Sequence, residues 1–125
     1  MRKMLFFTLI IAFFTVACQS QNGNGSSEVL TVADYKTQIA AEGIQLVDVR
    51  TPQEYEAGYI GEAVNIDFLN DNFATEIQQL DKTKPVYIYC RSGGRSARAA
   101  QQMQELGFRE VYDLKGGYRA WSAQR

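Results

Sequence analysis

The chain contains no histidine. That excludes a Cys–His dyad, a Ser–His–Asp triad and any metal site built on imidazole. Cysteine is almost as scarce, limited to Cys18 and Cys90, and proline to Pro52 and Pro85. Neither sign of charge dominates: 13 basic residues face 14 acidic ones, a formal net charge of −1. A general nucleic-acid surface needs a basic surplus, so no nucleic-acid partner is expected. There is no internal repeat. The one long apolar run, residues 4–17, is uncharged. As a helix its fourteen residues reach about 21 Å, short of a hydrocarbon core of roughly 30 Å.

That run follows Met1-Arg2-Lys3. A basic start and an apolar stretch of about 7–15 residues form the pattern of a signal peptide, expected here over residues 1–17. The alternative is a buried core helix, which the run fits less well because it is apolar on all sides. Thr15-Val16-Ala17-Cys18 resembles a bacterial lipobox, in which small residues precede a cysteine that is lipidated and becomes the new N-terminus. The expectation is therefore a lipoprotein anchored to the membrane through Cys18, with diacylation supplying the two chains that stable anchoring needs. Residues 18–27, rich in Gly, Ser and Asn, then read as a flexible tether, and residues 28–125 as one domain, expected to be monomeric. Loss of Arg2 and Lys3 would leave a side-chain charge of −3. The expected location is the cell envelope outside the cytoplasm, on the periplasmic side. Gln19 and Ser20, with no aspartate after Cys18, point to the outer membrane.

Along the domain, strands and helices alternate. Val29-Leu30-Thr31-Val32 reads as a short edge strand and Asp34 to Ala41 as a helix stopped by Gly43. Ile44 to Val49 is a nearly continuous aliphatic strand, suited to cover on both faces. Thr51-Pro52-Gln53-Glu54 is a helix start, with Thr51 as N-cap and Glu54 in the capping-box position, a role that accounts for Glu54. Ala63 to Ile66 is a brief strand, Asn70 to Leu80 an amphipathic helix and Val86 to Tyr89 a buried strand. Ala97, Ala100, Met103 and Leu106 form an apolar helical stripe that ends at Gly107. Val111 to Leu114 is the last strand. Tyr118 to Ala123 is a final short helix, with Trp121 expected in the core. This order predicts an α/β fold with a largely parallel sheet.

The chemistry concentrates in Cys90-Arg91-Ser92-Gly93-Gly94-Arg95-Ser96. With Cys18 assigned to lipid, Cys90 has no intramolecular disulfide partner. It sits where a strand ends and a helix begins, the place where α/β sheets bind ligands. The turn's consecutive N–H groups, with Gly93 and Gly94 free to adopt unusual angles, can form an anion-binding nest that lowers a thiol pKa. Arg91 and Arg95 add positive charge. Arg91 is either solvated or directed at the substrate; Arg95 is expected to turn inward and support the loop. Ser92 and Ser96 offer hydroxyls, although serine at a helix start more often caps it. A structural ion pair that fastens neighbouring loops is favoured for Asp48 and Arg50 over a chemical role. The bland reading of Cys90 as a small buried hydrophobe fits poorly with two glycines and two arginines after it.

This loop resembles the active-site loop of rhodanese-type sulfurtransferases. The likeness extends to Asp48-Val49-Arg50-Thr51-Pro52-Gln53-Glu54-Tyr55, to Gly58-Tyr59-Ile60 with Ala63-Val64-Asn65-Ile66, and to Leu114-Lys115-Gly116-Gly117-Tyr118-Arg119-Ala120-Trp121. The resemblance implies a rhodanese-like fold: a five-stranded, mostly parallel sheet with helices on both faces. It also implies a mechanism. Cys90 attacks the sulfane sulfur of a donor anion, such as thiosulfate or a persulfide, and a thiol or cyanide acceptor then takes the sulfur from the Cys90 persulfide. No metal and no cofactor is implied. The family alternative is a non-catalytic sulfur carrier or protein-interaction module. Redox sensing by Cys90 would need an intermolecular partner. Four residues separate Cys90 from Arg95, where related phosphatase-like domains have five, so sulfur transfer is favoured over phosphate hydrolysis. Tyr59 replaces a frequent histidine and Gly61-Glu62 a frequent proline–glycine pair; altered local packing is expected there, not lost catalysis.

Overall fold

The computed structural model describes residues 25–124. The expected signal peptide (residues 1–17), the lipidated Cys18 and the tether as far as residue 24 lie outside the described residues. Within them the chain runs β1 (Ser26–Leu30), α1 (Val32–Ile39), β2 (Gln45–Asp48), α2 (Pro52–Glu56), β3 (Val64–Asn65), α3 (Phe73–Ile77), β4 (Val86–Tyr89), α4 (Gly94–Glu105), β5 (Glu110–Leu114) and α5 (Gly117–Ala123). The five strands form one sheet in the order β1-β5-β4-β2-β3, and every pairing is parallel.

Parallel strands need crossover helices, and these cover both faces. The centre of the sheet shows how β4 divides its side chains. Val86, Ile88 and Cys90 enter a core with Phe73 and Ile77 of α3 and Ala99, Ala100 and Met103 of α4. Tyr87 and Tyr89 enter a second core with Tyr35 of α1, against which Tyr118 and Trp121 of α5 pack. This is the period-two alternation of a strand. Full burial of one such side chain, Ile88 for example, contributes about 1.5–3 kcal/mol.

Three elements differ from the sequence reading. The edge strand starts at Ser26, inside the segment read as a tether, and stops at Leu30. Thr31 accepts a hydrogen bond from the Asp34 N–H and caps α1, so Val32 begins a helix and does not end a strand. Helix α3 covers only Phe73–Ile77. At its front, Asp67 and Asn70 accept hydrogen bonds from the Leu69 and Asn72 N–H groups, local turns that compete with helix formation. At its end, the Leu80 N–H bonds back only to Ile77. On α4 the buried face is Ser96, Ala99, Ala100 and Met103, while Ala97 is exposed. The inward stripe is thus set by a serine.

The turn into α5 is held against the loop after β4. Gly117 has φ +60, and a Cβ there would lie 2.5 Å from the Cys90 carbonyl oxygen and 2.6 Å from that of Arg91. Gly117→Ala therefore adds a backbone collision to left-handed strain of about 1 kcal/mol. Denaturant unfolding should show a loss of at least about 2 kcal/mol; a loss no larger than the strain alone would mean that the loop yields freely.

Candidate active site

Strand β4 delivers Cys90 to the carboxyl end of the sheet, and α4 begins four residues later at Gly94. Between them the backbone is pinned from outside. The Tyr118 N–H donates to the Cys90 carbonyl at 2.8 Å and the Arg119 N–H to the Arg91 carbonyl at 2.9 Å. In a trans peptide the C=O and the following N–H point opposite ways. The Arg91 carbonyl, drawn outward to α5, therefore turns the Ser92 N–H the other way, and that N–H acts on the sulfur. Gly93, at φ 114, takes the backbone into the helix. Its N–H donates to Cys90 Sγ at 3.0 Å, and Ser96 Oγ lies 3.3 Å from the same atom.

Cys90 is 1% exposed. Burial alone would push its thiol pKa up. The Ser96 hydroxyl and the N–H groups of Ser96, Gly93 and Ser92 outweigh burial, and the pKa is lowered from its ordinary value. A buried sulfur ringed by donors is thereby favoured as thiolate.

The loop residues divide by role. Arg91 and Ser92 are exposed, and Gly94 opens α4. Neither serine caps the helix: the N-cap position falls to Gly93, without a side-chain bond, and Ser96 faces the sulfur from the first turn. Arg95 does not line an anion cradle. Its Nη1 and Nη2 donate to the Glu54 carboxylate at 2.7 and 2.9 Å. Position 95 lies on the first turn of α4, on the side facing α2, so its guanidinium leaves the loop and clamps the neighbouring helix. Glu54 thus does more than cap. It completes the capping box with Thr51 and holds Arg95 as well. Nothing local in the sequence signals a pair 41 residues apart.

Asp48 and Arg50 meet in a buried ion pair, with Nη2 2.7 Å from Oδ2. Arg50 Nη2 also donates to the Gly58 carbonyl, at 2.6 Å, and the guanidinium lies 4.2 Å from the Tyr118 ring centre. The pair joins the end of β2, the turn after α2 and the start of α5. Tyr59 stacks on Tyr55, with ring centres 4.3 Å apart.

The sequence marks Asp113 only as a residue of the last strand. It is 4% exposed, on the α4 face of β5, and its Oδ1 has no hydrogen-bond partner. The signal available in the sequence was a carboxylate inside an otherwise apolar strand.

Beside the loop lies a cavity of about 300 Å³ lined by Arg50, Glu54, Ala57, Arg91, Tyr118 and Arg119. Arg50 and Glu54 have charged partners. Arg91 and Arg119 are in no ion pair among the described residues, so the mouth is cationic. Among those residues no cluster of three or more His, Cys, Asp or Glu side chains could hold a metal, and no helix is long and apolar enough to cross a membrane.

The clamp has a pH signature. The bond from Arg95, helped by Thr51, holds the Glu54 carboxyl down at about 2. Its stabilising effect is complete above the ordinary glutamate value and is lost as pH falls from about 4.5 towards 2. Urea unfolding across that window should show a loss that shrinks by about 1 kcal/mol in Glu54→Gln, partial exposure screening the rest. Equal losses in both proteins would rule out the clamp as a contributor.

The rhodanese-like domain matches residues 31–124. A thiosulfate sulfurtransferase GlpE of Shewanella oneidensis is 40% identical over 81 residues, 65% of this chain and 78% of that protein. An uncharacterized protein YqhL of Bacillus subtilis is 41% identical over 80 residues, 64% of this chain but only 62% of its own length. In structure, a rhodanese-related protein from Thermoplasma volcanium aligns with TM-score 0.69 at 28% identity, covering 78% of this chain and 92% of that one. The match over residues 31–124, and a five-stranded α/β sheet of the same kind as that neighbour's, show that this chain belongs to the rhodanese-like domain family.

Proposed function

We propose that this chain is a sulfurtransferase that works through a persulfide on Cys90. The observation that carries the reading is the sulfur itself: buried, lowered in pKa and facing the N–H groups of a loop beside a cationic mouth. Likeness to thiosulfate sulfurtransferases supports the same class of reaction. The Cys90 thiolate attacks the outer, sulfane sulfur of an anionic donor. The donor's S–S bond breaks and its remainder leaves with the bonding pair, as sulfite when the donor is thiosulfate. An acceptor nucleophile, a thiolate or cyanide, then attacks the terminal sulfur of the Cys90 persulfide, and the thiolate is regenerated. This is covalent catalysis in two displacements. The loop's N–H groups stabilise the anion in each state, and Arg91 and Arg119 draw the donor in.

Phosphate hydrolysis fits less well. An arginine at the end of a phosphate cradle must face the ligand, whereas both terminal nitrogens of Arg95 are held by Glu54.

In the full chain, thiosulfate and cyanide should yield thiocyanate. Cys90→Ser should abolish the product and leave the unfolding transition in place. Protein loaded with thiosulfate should gain one sulfur on the Cys90 peptide by mass. Absence of both thiocyanate and the mass gain would overturn the proposal; loading without turnover would assign a carrier role.

We also propose attachment to the cell envelope through lipid on Cys18, supported by the basic start, the apolar run and the small residues before that cysteine. Labelled palmitate should enter the wild type and not Cys18→Ser; equal labelling would end the proposal.

A further inference from the structure

The Ser96 hydroxyl has more claims on it than it can meet. It lies 3.3 Å from Cys90 Sγ and 3.3 Å from the Gly93 carbonyl oxygen. Its one proton can serve only one acceptor at a time. A further acceptor waits beside it. Asp113 projects from β5 on the face covered by α4, in register with Ile88 on β4 and Val29 on β1. The Ser96 hydroxyl and the Leu114 N–H lie near enough to pull the carboxyl pKa down, while the hydroxyl's 3.3 Å contacts go to the sulfur and the Gly93 carbonyl and Oδ1 is left without a hydrogen-bond partner. From β4 the nearest reactive group is Cys90, two residues beyond Ile88. From α1, across the sheet, Tyr35 senses the Asp113 charge. β1 presents Val29 to it. No lysine or arginine pairs with it among the described residues.

A neutral carboxyl tolerates an unmatched oxygen far better than a carboxylate does. Burial pushes Asp113 up to about 6, against the pull of Ser96 and Leu114, so the neutral form is the one that suits this arrangement. We propose that Asp113 is a positioning residue for Cys90, and that its protonation state decides whether the Ser96 hydroxyl faces the sulfur or the carboxyl. With Asp113 neutral, its O–H can donate to Ser96 Oγ, and the Ser96 proton is free for the Cys90 thiolate. When Asp113 releases its proton to solvent, the carboxylate takes the Ser96 O–H through a change of one side-chain rotamer. The thiolate then loses a donor and gains a negative neighbour, and the Cys90 pKa rises. The two groups titrate as a coupled pair. This inference rests on Cys90 as the reactive nucleophile but not on sulfur transfer, so it is read without turnover.

The experiment follows alkylation of the full chain by iodoacetamide from pH 4.5 to 9.5, with mass detection restricted to the Cys90 peptide so that Cys18 does not contribute. Wild type should show a profile that a single titration cannot fit, with a second inflection near pH 6. Asp113→Asn is nearly isosteric, stays neutral and can donate to Ser96. It should give one inflection, moved about one pH unit lower, which is about tenfold more thiolate below the midpoint. In a Ser96→Ala background the same Asp113→Asn change should move the midpoint by less than half as much, because only the direct effect of the charge remains. A single inflection in wild type overturns the proposal whatever the variants do. An equal shift with and without Ser96 also overturns it, because the charge would then act directly. Loss of thiocyanate formation with the coupling intact would count against sulfur transfer and not against this role for Asp113.

Discussion

The structure depends most on two backbone hydrogen bonds, from Tyr118 and Arg119 to the carbonyls of Cys90 and Arg91. They decide which way the peptides after β4 face. With the Arg91 carbonyl drawn out, the Ser92 N–H turns in beside that of Gly93, and a loop of ordinary residues becomes a binding site for a negative sulfur. Several unrelated features serve those two bonds. Gly117 lets the chains approach without a Cβ between them. Trp121 and Tyr118 pack α5 onto the second core, which fixes where its N–H groups lie. Arg50, held by Asp48, stacks on Tyr118 and connects the same corner to β2.

The helix that follows the loop is fixed by a second kind of contact. Arg95 and Glu54 join the first turns of α4 and α2, so the direction of α4 and the inward aim of Ser96 are set together. Negative charge at the start of α2 suits that helix, and the guanidinium satisfies it from outside. At the cavity mouth, Arg91 and Arg119 are left without an ion pair among the described residues. Arg50 and Arg95 are thus paired and hold position, whereas Arg91 and Arg119 at the entrance are unpaired.

Much of this was legible in the sequence because it is local. The β4–turn–α4 junction shows in an apolar run, two glycines and a helical stripe. The α2 start shows in Thr51, Pro52 and Glu54, and all three features are present. The parts that were not legible depend on tertiary neighbours. Thr31 could end a strand or cap a helix, and only the extent of its pairing with β5 decides between them. Ala97 and Ala99 are chemically identical, so the buried face of α4 could not be fixed until the sheet was placed beneath it. The partner of Arg95 lies a whole βαβ unit away. Asp113 looks like any strand residue in the sequence, and only the cover of α4 over β5 shows that its carboxyl is buried with an unpartnered oxygen.

An all-parallel sheet has two unlike ends. Strand β1 enters beside Glu110, at the amino end of the sheet, whereas Cys90 sits at the carboxyl end. A five-residue strand covers about 16 Å, so whatever segment leads into Ser26 joins the domain on the side remote from the sulfur. Strand polarity thus sets the entry of the chain and the reactive sulfur at opposite ends of the domain.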